Sequence, residues 1–185
     1  MKNIYHHRLD IPVKFVPVFP ENAPIISNYD INLINKELLD WLQSLNVVVV
    51  AAEIFHQIPN SDQKSTPIHV DAGGFDNRVK LTFVYTNYTD SFSNMMNWYI
   101  CRDASKLKPF TTSIGSGATL VNKKDCELVY SAQLGTPSII NAGFLHGVSP
   151  VTSERYCFSL TLTESKQFLK WDRAIEIFKD YISIM

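Results

Sequence analysis

Two residues of the stretch Ile68-His69-Val70-Asp71 have types and spacing that suit metal chemistry. In an extended strand side chains alternate faces, so His69 and Asp71 point one way and Val70 the other. One imidazole and one carboxylate then stand side by side. A second imidazole would complete a set of two His and one carboxylate, which holds an ion on one face and leaves coordination positions open, the arrangement of non-haem Fe(II) oxygen chemistry. His146, in Phe144-Leu145-His146-Gly147-Val148, is the best third ligand, and Arg155 follows nine residues later. An HxD triplet is common, so the surrounding elements carry much of the weight.

Those elements read as strands for most of the chain. Val47 to Ile58 is a β-branched run expected to be buried on both faces. Pro59 to Pro67 is a turn-rich loop leading into the His69 strand. Arg78 to Asn87 alternates, with Val79, Leu81, Phe83 and Tyr85 on one side and Arg78, Lys80, Thr82, Val84 and Thr86 on a mixed face suited to a polar small molecule. Met95 to Arg102 is a further strand, residues 103–116 an excursion, Ala118 to Asn122 a short strand, and residues 125–134 fit strand or helix. Arg155, Cys157, Ser159 and Thr161 share a face opposite Tyr156, Phe158, Leu160 and Leu162. Ile11 to Phe19, broken by Pro12 and Pro17, suits an edge or irregular strand. The adjacent His6-His7 pair is expected to be solvated, and His56 to be structural or rim-lining.

Helical spacing appears twice. Ile31, Ile34, Leu38, Leu42 and Leu45 form a stripe over residues 30–45, with Asp30 as N-cap and Asn46 as stop. Ala174, Ile175, Phe178, Tyr181 and Ile182 form another over residues 172–182. Seven to ten strands between two helices close most naturally as a mostly-β jelly-roll or barrel. One domain over residues 1–185 is expected, its β core spanning roughly 47–163.

Composition narrows the function classes. With 185 residues, 45% hydrophobic and 19% charged, the chain can bury a sizeable core. A net charge of −1 and no basic run give no strong nucleic-acid signal and no attraction to an anionic membrane. Cys101, Cys126 and Cys157 are widely spaced and form no CxxC pair, which suits reduced thiols. The N-terminus has no signal-like apolar core, and no apolar run is long enough to span a bilayer. The expected location is cytoplasmic.

His69-x-Asp71, His146 and Arg155, in that order on such strands, resemble the Fe(II)- and 2-oxoglutarate-dependent dioxygenase superfamily. The strand after HxD, running from Arg78 to Tyr85 and Asn87, is similar to the prolyl-hydroxylase-like branch. The resemblance covers residues 50–163. It implies a double-stranded β-helix, a cupin-like jelly-roll flanked by N-terminal and C-terminal helices. It also implies Fe(II) on His69, Asp71 and His146, 2-oxoglutarate as co-substrate, and dioxygen. The expected outcome is hydroxylation of an organic or protein substrate, with succinate and CO2 released. Arg155 would give a planar fork to the distal carboxylate of 2-oxoglutarate, a bidentate match that lysine makes less specifically. Lys80, Thr82 and Tyr99 are assigned to the co-substrate pocket by strand parity and neighbourhood. Two features depart from the family: Cys157 stands where many members have Ser, and the longer gap from Asp71 to His146 places an insertion in residues 103–134. The alternatives are a cupin-like metal isomerase or hydrolase without 2-oxoglutarate, and a non-catalytic jelly-roll binding module.

Overall fold

A computed structural model describes residues 3–19, 24–59, 67–71, 75–86, 95–134 and 137–183. The strands are β1 (His6–Arg8), β2 (Ile26–Asn28), β3 (Val48–Gln57), β4 (His69–Asp71), β5 (Val79–Thr86) and β6 (Met95–Ile100). They continue as β7 (Lys108–Thr111), β8 (Gly117–Leu120), β9 (Glu127–Gln133), β10 (Ser138–Asn141), β11 (Leu145–Val148), β12 (Arg155–Glu164) and β13 (Gln167–Phe168). Two helices flank them, α1 (Lys36–Ser44) and α2 (Trp171–Phe178). Among the described residues no helix is long and apolar enough to cross a membrane.

The strands form two antiparallel sheets. The first runs β1-β10-β5-β12-β3-β2, with β13 folded back on β12, and the second runs β7-β8-β4-β11-β6-β9. From β3 to β6 the chain changes sheet at every step. β6 and β9 then pair within the second sheet, and β10, β11 and β12 alternate again. Crossing back and forth brings strands distant in sequence together. Thus β12 lies between β3 and β5, and β11 lies between β4 and β6.

The outer face of the first sheet carries the largest apolar cluster. Ile54, Leu81, Phe83, Phe158 and Leu160 pack there with Leu38, Trp41 and Leu42 of α1 and Trp171, Ala174 and Phe178 of α2. Each such aliphatic or aromatic side chain removed from water contributes about 1.5–3 kcal/mol. With apolar residues taken up by the helices, the opposite face of β3, β5 and β12 is free to carry polar ones: Glu53, Gln57, Lys80, Thr82, Arg155 and Ser159 are all buried. The period-2 patterns of β5 and β12 behave as their sequences imply.

The helical stripe at 30–45 divides in two. A 3-10 turn at Ile31–Leu33 is capped by the Asp30 side chain, which accepts from Asn32 N, and α1 follows. Asn46 adopts φ 60° just beyond α1, the left-handed conformation that ends helices. The C-terminal stripe likewise ends early as a helix: α2 stops at Phe178 and a 3-10 turn covers Lys179–Tyr181.

Several expectations are corrected. Residues 11–19 form no ladder. Phe15 is nonetheless buried, packed edge-on against Phe83 and Phe158. The edges of the first sheet are β1 and β2 instead, and His6 within β1 is buried rather than solvated. Its ring stacks on Trp98 and its Nδ1 lies 3.2 Å from the Tyr130 hydroxyl. Burial, helped by the neighbouring charges of His7 and Arg8, pushes His6 down to about 4, so its imidazole is neutral. β3 is not buried on both faces throughout, because Val48 and Val50 are exposed at its start. Of the loop expected from Pro59 to Pro67, residues 60–66 lie outside the described residues.

Candidate metal centre

The ligand cluster is assembled by register. His69 of β4 is the direct cross-strand partner of His146 of β11, and directly opposed residues share a face. Their rings lie 4.4 Å apart between centroids. Asp71, two residues after His69, joins them by strand parity, and Val70 points to the other face. There it packs, fully buried, with Ile68, Tyr99, Val121 and Leu145. This small apolar cluster pins the backbone that carries the ligands.

The ligand atoms of His69, Asp71 and His146 all lie within 4.8 Å of one another. His69 Nε2 is 3.4 Å from Asp71 Oδ1, close to the ~3 Å expected between neighbouring donors with bonds near 2.1 Å at right angles. Each imidazole has its other nitrogen committed in the same way. His69 Nδ1 lies 2.8 Å from the Pro67 carbonyl and His146 Nδ1 2.7 Å from that of Phe144. A carbonyl can only accept, so Nδ1 carries the proton and Nε2 keeps its lone pair for a metal. The donor set therefore suits a divalent transition metal.

Protonation agrees. Burial and then the charge of His69 push His146 down to about 4, so its ring is neutral at neutral pH. Burial favours neutral His69 too, but Asp71 outweighs it and the net direction is upward. Burial likewise opposes ionisation of Asp71. The nearby Lys80 ammonium overcomes it and holds the carboxyl well below its usual range.

Lys80 is the residue that organises this end of the cleft. Its Nζ lies 2.9 Å from Asp71 Oδ2 and donates to Glu53 Oε2 at 2.7 Å. With Oδ2 held by the ammonium, Oδ1 is left toward His69 and the metal position. Glu53 in turn accepts from Ser116 Oγ at 3.2 Å, which ties the β7–β8 turn to the site.

Arg155 faces the same cleft from β12, with Cys157 and Ser159 on its side of the strand. The residue is 2% exposed. Its Nη1 donates to Gln57 Oε1 at 2.8 Å, while its buried Nε has no hydrogen-bond partner. Among the described residues no carboxylate pairs with it. A buried guanidinium without a counter-charge is costly to the fold, and the group that would relieve it is an anion entering the cleft.

The cleft is partly open to solvent and reaches from His69, Asp71 and His146 to Arg155. Lys80 and Thr82 line it as strand parity implies. Thr82 donates its hydroxyl proton to the Ser138 carbonyl at 3.1 Å, so toward the cleft it offers only lone pairs. Tyr99 is the correction. It is the cross-strand partner of Leu145 and shares the outward face with that residue and Val70, away from the ligands. The bulge between Trp98 and Tyr99 accompanies this placement. Trp98, opposite His146, is fully buried and serves the core. His56 faces away from the cleft, stacked on Tyr156 and 2.8 Å from Glu154 Oε1.

Sequence reasoning passed over Glu53, Gln57 and Ser116. The first two were legible as polar residues at alternate positions of an otherwise apolar run. Ser116 had no local signal, since its contact with Glu53 spans 63 residues. The chain matches no protein-family model, and a search of curated proteins returns no significant match.

Proposed function

We propose that this chain is an Fe(II)- and 2-oxoglutarate-dependent oxygenase on a double-stranded β-helix. The order in which strands alternate between the sheets supports that fold, as do runs of four neighbouring strands in each sheet, β10-β5-β12-β3 and β4-β11-β6-β9. The observation that carries the function is the pairing, in one cleft, of a His-Asp-His face with a buried arginine that meets no carboxylate among the described residues. A cupin-like metal enzyme using no dicarboxylate would have no task for Arg155.

Each residue then has a role. His69, Asp71 and His146 would hold the ion through two imidazole Nε2 atoms and Asp71 Oδ1. The bound iron would supply activation of dioxygen coupled to decarboxylation of the 2-oxo acid to succinate and CO2. Arg155 binds the distal carboxylate of the co-substrate through its fork, and Gln57 fixes the plane of that fork. Lys80 keeps Asp71 ionised and limits it to one donor atom. Phe55, Met96, Ile140 and Val148 exclude water from the remaining walls of the cleft. The substrate would be an organic molecule or protein side chain presenting a C–H bond at the open side.

The test is succinate release. Protein loaded with Fe(II) and given 2-oxoglutarate in air is expected to form succinate slowly even without the substrate, and His146→Ala is expected to abolish it. Wild-type protein that binds Fe(II) and stays folded but forms no succinate would overturn the proposal.

A further inference from the structure

The two partly exposed cysteines lie 25 positions apart, yet the ladder brings them together. Beyond the bulge, β6 and β9 pair Tyr99 with Leu128 and Ile100 with Glu127. The next opposed positions in that register are Cys101 and Cys126. Both side chains pack on the same apolar cluster around Tyr99 and Leu145. Each also donates to a nearby carbonyl, Cys101 to Asp103 O at 3.2 Å and Cys126 to Asn122 O at 3.3 Å. Opposed residues in an antiparallel ladder have Cα atoms about 4.5–5.5 Å apart, inside the roughly 4.4–6.8 Å that a disulfide spans. A metal is a poorer occupant, because among the described residues no His, Asp or Glu joins the pair as a third ligand.

We infer that Cys101 and Cys126 are a reversible dithiol–disulfide site that locks the base of the β7–β8 excursion. The oxidant is a small-molecule disulfide of the glutathione type. One cysteine thiolate attacks it, forming a mixed disulfide and releasing one thiolate. The second cysteine then attacks the protein-side sulfur and expels the other. Two protein thiols and one disulfide become one protein disulfide and two small thiols, and the two protein protons leave with the released thiolates. The link joins both ends of residues 102–125, the segment that sends Ser116 to Glu53. It also fixes β6, which is hydrogen-bonded directly to the His146 strand. The third cysteine, Cys157, is buried on the opposite sheet and takes no part.

The experiment uses the whole chain and oxidised glutathione, with denaturing alkylation and mass spectrometry. The expected product has lost two hydrogens and two alkylation sites. It gives a proteolytic fragment in which the Cys101 and Cys126 peptides are joined, and dithiothreitol reverses it. Its Tm should exceed that of the reduced form by several degrees, as expected when a loop of this length is closed. Cys101→Ser and Cys126→Ser should each keep a glutathione adduct on the remaining thiol. Adducts on both cysteines of the wild type without a link, or a link to Cys157 or between chains, would overturn the inference.

Discussion

Replacing Arg155 by Gln should separate metal binding from co-substrate binding. The guanidinium is buried, its Nε is unpartnered, and among the described residues it meets no carboxylate. Removing one partner of a desolvated charge pair costs about 3–5 kcal/mol, so 2-oxoglutarate affinity should fall by about 10² to several 10³. The same change removes from the ligand-free protein a buried charge that no carboxylate among the described residues offsets. The ligand-free variant should therefore be no less stable than wild type. Thermal unfolding reads both effects. At a ligand concentration of 100 Kd the wild type gains about 2.7 kcal/mol, or about 5–11 °C in Tm for a chain of this size. The variant at that concentration should gain at most about 1–2 °C, while its affinity for a divalent metal stays the same. Arg155→Lys keeps the charge but not the fork, and should weaken binding about tenfold. A variant that keeps the full ligand-induced shift, or loses metal in parallel with 2-oxoglutarate, would refute the role given to Arg155.

Three other perturbations test the supporting structure. Lys80→Met leaves Asp71 and Glu53 buried without their ammonium. It should cost about 3–5 kcal/mol in urea unfolding with chelator present and weaken metal binding about 10–100-fold. Adding Glu53→Gln should restore part of the stability, and strict additivity would contradict the coupling. Asp76, held by Arg78 and Lys170, is kept at about 2 because those bonds outweigh its burial. A lowered carboxyl pKa stabilises above the unfolded value near 4 and loses that contribution as pH falls through about 2. Asp76→Asn should thus cost about 1–2 kcal/mol at pH 7, allowing for partial exposure, and progressively less between pH 4 and 2. Gly143 leads into the His146 strand, and a Cβ there would lie 2.3 Å from the Asn77 backbone N. Gly143→Ala should cost at least about 2 kcal/mol and lower metal affinity by displacing His146, both readable by metal-dependent thermal shift.

The parts of the site that follow strand parity were legible in the sequence. His69 with Asp71, Lys80 with Thr82, and Arg155 with Cys157 and Ser159 each share a face because side chains alternate. Pairing register was not legible. It decides that His146 meets His69, and that Tyr99 turns outward with Leu145. The polar identity of β3's inner face was masked by its β-branched neighbours, and Glu53 and Gln57 gain meaning only beside Lys80 and Arg155. His6 was misjudged for a similar reason: nothing near the N-terminus signals that β1 closes the edge of the first sheet over Trp98 and Tyr130. Cys101 and Cys126 look unrelated in sequence because a 24-residue excursion separates them.

The most direct measurement is anaerobic. Protein loaded with one equivalent of Fe(II) should develop a weak visible metal-to-ligand absorption on titration with 2-oxoglutarate, and Asp71→Ala should show none. Folded wild-type protein that binds Fe(II) yet gives no such band at saturating 2-oxoglutarate would contradict the account.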